Sequence, residues 1–201
     1  MIDTGDIILC KGNGWVSRVI EWVGTSRYSH VGIIVRNPRF LCNTLDDGLY
    51  VWDSSYGLSP EAENGAIRFG VQLHRLEEVM KLYPSDSLYV RRLDVDRNEA
   101  FYRQLTEIHE EVHAKPYDTH LLDWVEAKLN MMVHFPLSSW WKHTDRFWCS
   151  ALVSYIYVRM GWLSDVNWSL IAPREYSSVE STGQLIFTCK LEEEEELLTL
   201  L

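Results

Sequence analysis

Apolar and polar positions follow two rhythms along the chain, and the switches between them set the expected elements. Ile7-Ile8-Leu9-Cys10 follows Gly5-Asp6 as a short apolar run and reads as a buried strand. Asn13 then precedes a helical stripe, with Val16, Val19, Ile20 and Val23 at i, i+3, i+4 and i+7 and Gly24 placed to end it. Residues 30–35 are rich in β-branched side chains and read as a strand, followed by another at 49–53. Gly57, Pro60 and Gly65 punctuate a loop over 54–66. Beyond it the pattern gives a strand at 67–73, a short helix at 77–82 and a strand at 88–93. Asp96 and Glu99 are spaced as a capping pair, ahead of a helix with Phe101, Leu105, Ile108 and Val112 on one face and Pro116 beyond its end. Thr119 is placed to cap a second helix carrying Leu121, Val125, Leu129 and Met132, and 131–143 is irregular and aromatic. Residues 148–160 are apolar nearly all round, as in a buried central helix, with Gly161 as its stop. A late strand is expected at 184–189.

Composition narrows this to one α+β domain over 1–190 with an acidic tail at 191–201. At 201 residues, the chain is long enough to bury roughly 70% of its unfolded surface. It is 46% hydrophobic and 24% charged, an ordinary globular balance. Nineteen basic against 29 acidic residues give a net charge of −10, which argues against nucleic acid or an anionic membrane face as a partner. Half of that charge is the glutamate run 192–196, expected to be a solvated, frayed end. The four cysteines, Cys10, Cys42, Cys149 and Cys189, include no CxxC pair, and the histidines around Cys42 lack ligand spacing, so no metal site is expected. No basic-then-apolar leader opens the sequence, and no apolar run approaches the ~20 residues of a spanning helix. The expectation is a cytoplasmic protein, bacterial or in a viral host, with its cysteines as free thiols.

Three residues carry candidate chemistry. Cys149, in Phe-Trp-Cys-Ser-Ala-Leu-Val, opens the expected central helix, where unpaired N–H groups and the dipole favour thiolate. Taken alone, a free cysteine is more often an inert core residue. His30, in Tyr-Ser-His-Val-Gly-Ile-Ile, begins a strand at a position suited to a base, though also to a structural histidine. Asp53 ends the next strand, where it can orient an imidazole or simply close a turn.

Read together, these segments resemble the papain-like thiol hydrolases of the NlpC superfamily, in the circularly permuted branch that includes YiiX and YaeF. The resemblance runs in order from about Thr4 to Ser178. It rests on Gly5-Asp6-Ile7-Ile8, Tyr28-Ser29-His30-Val31-Gly32-Ile33, Val51-Trp52-Asp53-Ser54, Gly70-Val71-Gln72-Leu73, Lys115-Pro116-Tyr117-Asp118, Phe147-Trp148-Cys149-Ser150-Ala151-Leu152-Val153 and Ile171-Ala172-Pro173. His30 precedes Cys149, the order that permutation demands. The departures are Asp53, where the branch usually carries glutamate, and Trp148, where a smaller aromatic is expected.

The resemblance implies a papain-like fold: a central antiparallel sheet packed against helices, with the catalytic cysteine at a helix N-terminus. It implies Cys149 as nucleophile, His30 as base and Asp53 as orienter, with Tyr117, Trp148 and Ser29 as substrate-binding candidates. No cofactor is implied. The substrate expected first is a small peptide or amide, cleaved through a thioester. A lipid acyl hydrolase or acyltransferase stands second, since 131–143 with Trp140 and Trp141 offers apolar walls, although Trp148-Cys149-Ser150-Ala151 departs from the Asn-Cys-Glu-His typical of the lipid branch. A catalytically silent binding module is the third reading.

Overall fold

The computed structural model describes residues 1–12, 26–56, 59–84, 86–116, 148–165 and 171–201. The expected helices over 16–23 and 119–132, the 131–143 stretch with Trp140 and Trp141, and Tyr117 lie outside the described residues.

Among the described residues, eight short strands follow in order: β1 Ile7–Cys10, β2 His30–Arg36, β3 Leu49–Tyr56, β4 Phe69–Arg75, β5 Leu88–Arg91, β6 Leu93–Asp94, β7 Lys190–Leu191 and β8 Glu195–Glu196. Six form one antiparallel sheet in the order β4-β3-β2-β1-β5-β8, and β6 pairs with β7 in a separate ribbon. β1 lies between β2 and β5 and is buried along its whole length, which is why its sequence is continuously apolar rather than alternating.

Two apolar layers cover the sheet. Ile7, Leu9, Ile33, Trp52 and Leu73 face one side, and Ile8, Cys10, Ile34 and Val51 face the other. The first side packs against helices α2, Glu99–Val112, and α3, Cys149–Arg159. The second is covered by α1, Leu76–Leu82, through Leu76 and Val79, and by Leu197. The α2 stripe of Phe101, Leu105, Ile108 and Val112 is buried as its spacing predicts. In α3 every side chain from Cys149 to Tyr157 is buried, matching the all-round apolar reading, and Gly161 follows at φ 74°, a left-handed stop favoured by glycine.

Four sequence expectations differ from the fold. Asn98, not Asp96, caps α2: its side chain accepts from the Phe101 N–H at 3.1 Å. The strand expected over 88–93 divides at Arg92, its second part leaving the main sheet for the β6–β7 ribbon. No strand forms over 184–189, because its backbone bonds go singly to a loop: Ser164 N–H to Ile186 C=O and Thr188 N–H to Trp162 C=O. The acidic tail is not frayed. It supplies β8 to the open edge of β5, buries Leu197 completely, and places Glu192 and Glu195 on Arg92 at 2.6 and 2.7 Å. Glu194 accepts from Tyr28 Oη at 2.7 Å and Ser177 Oγ at 2.6 Å. An edge strand needs a partner, and the alternation of the run lets its glutamates point to cations and hydroxyls while the backbone pairs.

Candidate active site

Three elements converge on the candidate site: the start of β2, the middle of β3 and the N-terminus of α3. β2 and β3 pair with Ile33 opposite Trp52 and Ile34 opposite Val51, which brings His30 and Asp53 onto one face. Gly32 lies between them. A β-carbon there would stand 2.8 Å from Val51 Cγ1 and 3.2 Å from Asp53 Cβ, so glycine leaves the room through which Asp53 reaches back to His30. The two side chains meet at 2.7 Å, His30 Nε2 to Asp53 Oδ2, with both largely buried.

α3 brings the third residue. Trp148 is its N-cap, extended at φ −89° and ψ 171° with no side-chain cap, so the first-turn N–H groups are not taken by a capping side chain. Hydroxyls on its inner face fix the helix. Ser150 Oγ donates to Ile171 C=O, Ser154 Oγ meets Tyr176 Oη, Tyr176 Oη donates to Ser150 C=O at 2.9 Å, and Tyr157 Oη donates to Gly5 C=O at 2.6 Å. Cys149 follows the cap, close enough to the His30 ring for its charge to act on it. With Nε2 on Asp53, Nδ1 is the ring nitrogen left for the sulfur.

The electrostatics favour a charged imidazole. Burial works against it, but the charge interaction with Cys149 and the hydrogen bond to Asp53 outweigh burial, and the His30 pKa is pushed up to about 10. Cys10 shows the contrast: enclosed in the core, its thiol is pushed well up by burial.

The fold brings Cys149, His30 and Asp53 together, and Trp148 adjoins them at 9% exposure. Ser29 is buried, with its hydroxyl 3.5 Å from Cys10 C=O. Sequence reading missed what supports Asp53. Ser55 Oγ donates to Asp53 Oδ1 at 3.0 Å, and Gln72 Nε2 donates to Ser55 Oγ at 3.0 Å and to Ser55 C=O at 3.2 Å. His74 Nε2 stands 4.0 Å from Asp53 Oδ1, its Nδ1 held by Ser59 Oγ at 3.0 Å. Strand alternation carries this signal: Asp53 and Ser55 share a face of β3, and Gln72 is the β4 partner of Asp53.

The reading of no metal ligands also missed a second grouping. Glu63, His109 and His113 gather their ligand-type atoms within 4.8 Å of one another, although no cysteine takes part. His109 and His113 stand four apart, a helical spacing visible in the sequence.

No family model matches the chain, and no curated protein matches it in sequence. Solved structures do. The crystal structure of metalloprotein YiiX from Escherichia coli O157:H7 aligns over 96% of this chain and 98% of that one, at 18% identity and a TM-score of 0.53. No helix among the described residues is long and apolar enough to cross a membrane. A mixed α+β architecture built on one antiparallel sheet, matched end to end by that structure, gives this chain a YiiX-like fold.

Proposed function

We propose that the protein is a cysteine hydrolase that cleaves an amide or peptide bond through a thioester, on a circularly permuted papain-like domain spanning residues 1–190. One observation carries the reading: a single buried imidazole joins Asp53, at 2.7 Å, to a cysteine at a helix N-terminus. That is the order of a nucleophile, a base and an orienter.

Cys149 Sγ, as thiolate beside imidazolium, attacks the carbonyl carbon, and the carbonyl π pair moves to oxygen. The Cys149 N–H, in the first turn of α3, is a backbone donor placed for that oxyanion. As the intermediate collapses, the C–N bond breaks and His30 gives its proton to the leaving amine. Water then attacks the thioester carbonyl while His30 takes a proton from it. The C–S bond breaks, releasing the carboxylic acid and restoring the thiolate–imidazolium pair. Asp53 holds Nε2–H throughout and so keeps Nδ1 toward the sulfur. All four cysteines are free thiols, as a nucleophile working in a reducing compartment requires.

Alkylation tests the reading. Iodoacetamide near pH 6, followed by peptide mapping, is expected to label Cys149 well ahead of Cys10 and Cys189, whose thiols burial pushes up. A peptide-amide panel should then release amine, with no release from Cys149→Ala. Labelling that spares Cys149, or turnover that survives its removal, would sink the proposal. Fatty-acid release from an acyl-lipid panel, with no amine from any peptide, would replace the amidase by a lipid acyl hydrolase.

A further inference from the structure

The second histidine grouping has its own architecture. Residues 61–66 form a tight turn, closed by Glu61 N–H on Ala66 C=O and Gly65 N–H on Glu61 C=O, both at 2.9 Å, and by Ala66 N–H on Asn64 Oδ1 at 2.9 Å. The turn presents Glu61 and Glu63 to the last turn of α2. There His109 and the C-cap residue His113 stand four residues apart, on one side of the helix end. Glu63 Oε1 lies 3.0 Å from His109 Nε2 and 3.3 Å from His113 Nδ1.

These atoms converge on one carboxylate oxygen. Among the described residues, both rings crowd the one Glu63 oxygen as ion pairs, and neither Glu63 Oε1 nor His113 Nδ1 completes a well-aligned hydrogen bond. Glu61 sharpens the point. Its side chain is fully enclosed and its Oε1 stands 3.8 Å from His113 Nδ1, also without a hydrogen bond, while Arg68 pairs with its Oε2. Buried lone pairs left unmatched are costly. Their spacing has a ready explanation. Ligand atoms around a tetrahedral zinc lie roughly 3.3 Å apart, given bonds of about 2.0–2.1 Å to nitrogen and oxygen.

We propose that Glu63, His109 and His113 form a binding site for one first-row divalent cation of the zinc type, held between the 61–66 turn and the end of α2. Two imidazoles and a carboxylate suit such an ion better than calcium or magnesium, which prefer oxygen. Three protein ligands leave a fourth position open, for water or for Glu61 Oε1. His113, 26% exposed at its side chain, is the route of entry. Arg68 neutralises the extra carboxylate, so the site as a whole is not over-charged for a divalent ion. The ion would pin the 59–66 loop to α2, whose His109 meets Trp52 edge-on with ring centroids 5.3 Å apart.

Calorimetric titration of zinc into chelator-stripped full-length protein tests this. One ion per chain is expected. Glu63→Gln and His113→Ala should each weaken binding about 100-fold or more, with His113→Gln as the second variant if the alanine form fails to fold by circular dichroism. Cys149→Ala and His30→Ala should bind zinc as the parent does, which separates this site from the cysteine site. X-ray absorption of the zinc-loaded protein should show nitrogen and oxygen with two imidazoles and no sulfur. Absence of binding, unchanged affinity in Glu63→Gln and in the His113 variant, or a sulfur ligand would each overturn the proposal.

Discussion

Trp52 and Asp53 are neighbours on β3, yet they touch different histidines. Trp52 meets His109 edge-on, and on the opposite face Asp53 binds His30 at 2.7 Å. Both groupings are made of imidazole and carboxylate, and they differ in how those parts are shared. At His30 one carboxylate oxygen serves one ring, and the other ring nitrogen is left to a sulfur. The second carboxylate oxygen is occupied as well, by Ser55. Each position has a partner, so a proton can be held at a defined place. At Glu63 one oxygen is shared by two rings, neither in a well-aligned hydrogen bond with it. Exclusive pairing suits proton transfer, whereas converging lone pairs suit a cation.

Replacing Asp53 by alanine breaks the exclusive pairing and carries the largest expected effect. Hydrolysis should fall about 10²- to 10⁴-fold, since the imidazole loses both its orientation and its partner charge. The pH dependence checks the cause. The His30 pKa is raised above the ordinary ~6.5 to about 10, so the stability it lends is fully present below ~6.5 and is lost as pH rises through about 10. In Asp53→Ala that loss should begin at lower pH, seen both in the unfolding midpoint and in the His30 NMR titration. An unmoved titration would show that Asp53 does not hold the ring.

A smaller effect is expected where space rather than charge is changed. Gly32→Ala would force a β-carbon to within 2.8 Å of Val51 Cγ1 and 3.2 Å of Asp53 Cβ. Overpacking of this kind costs about 1–3 kcal/mol. The melting temperature should drop, and the His30 titration should shift in the same direction as in Asp53→Ala, by less. A drop in stability with His30 unaffected would mean that the strain is relieved toward Val51, leaving the pair intact.

The two groupings were unequally legible in the sequence, for a physical reason. Cys149 and His30 each sit at an element boundary, a helix start and a strand start, where local pattern marks a position, whereas Asp53, expected to end its strand, lies inside the longer β3. The β1, β2, β3 and α3 segments follow directly from runs of apolar residues, so the frame that brings the three together could be anticipated. Glu63 sits in a turn that reads only as polar punctuation, and the α2 histidines lie beside a stripe read for its apolar face. Their meeting depends on how the 59–66 loop folds against α2, a long-range contact that periodicity does not encode. The tail misled for a related reason. Five glutamates in a row suggest repulsion and solvent, but the open edge of β5 and the cation of Arg92 make a paired strand the better state. That gain exists only in the folded sheet.

The finest test of the comparison concerns Ser55, which completes Asp53 without touching His30. Its hydroxyl donates to Asp53 Oδ1 at 3.0 Å and accepts from Gln72 Nε2 at 3.0 Å. Ser55→Ala removes one hydrogen bond to a charged acceptor in a nearly dry setting, worth about 1.5–3 kcal/mol in general and less where a neighbour substitutes. His74, 4.0 Å from the same oxygen, is positioned to substitute. The expected outcome is therefore at the low end: a stability loss of about 1 kcal/mol and a fall in hydrolysis of roughly tenfold or less. Ser55→Ala combined with His74→Ala should cost more than the two separate losses added together, because the second change removes the substitute. Strict additivity would mean that His74 does not take over the vacated oxygen, and that the Asp53 carboxylate depends on Ser55 alone.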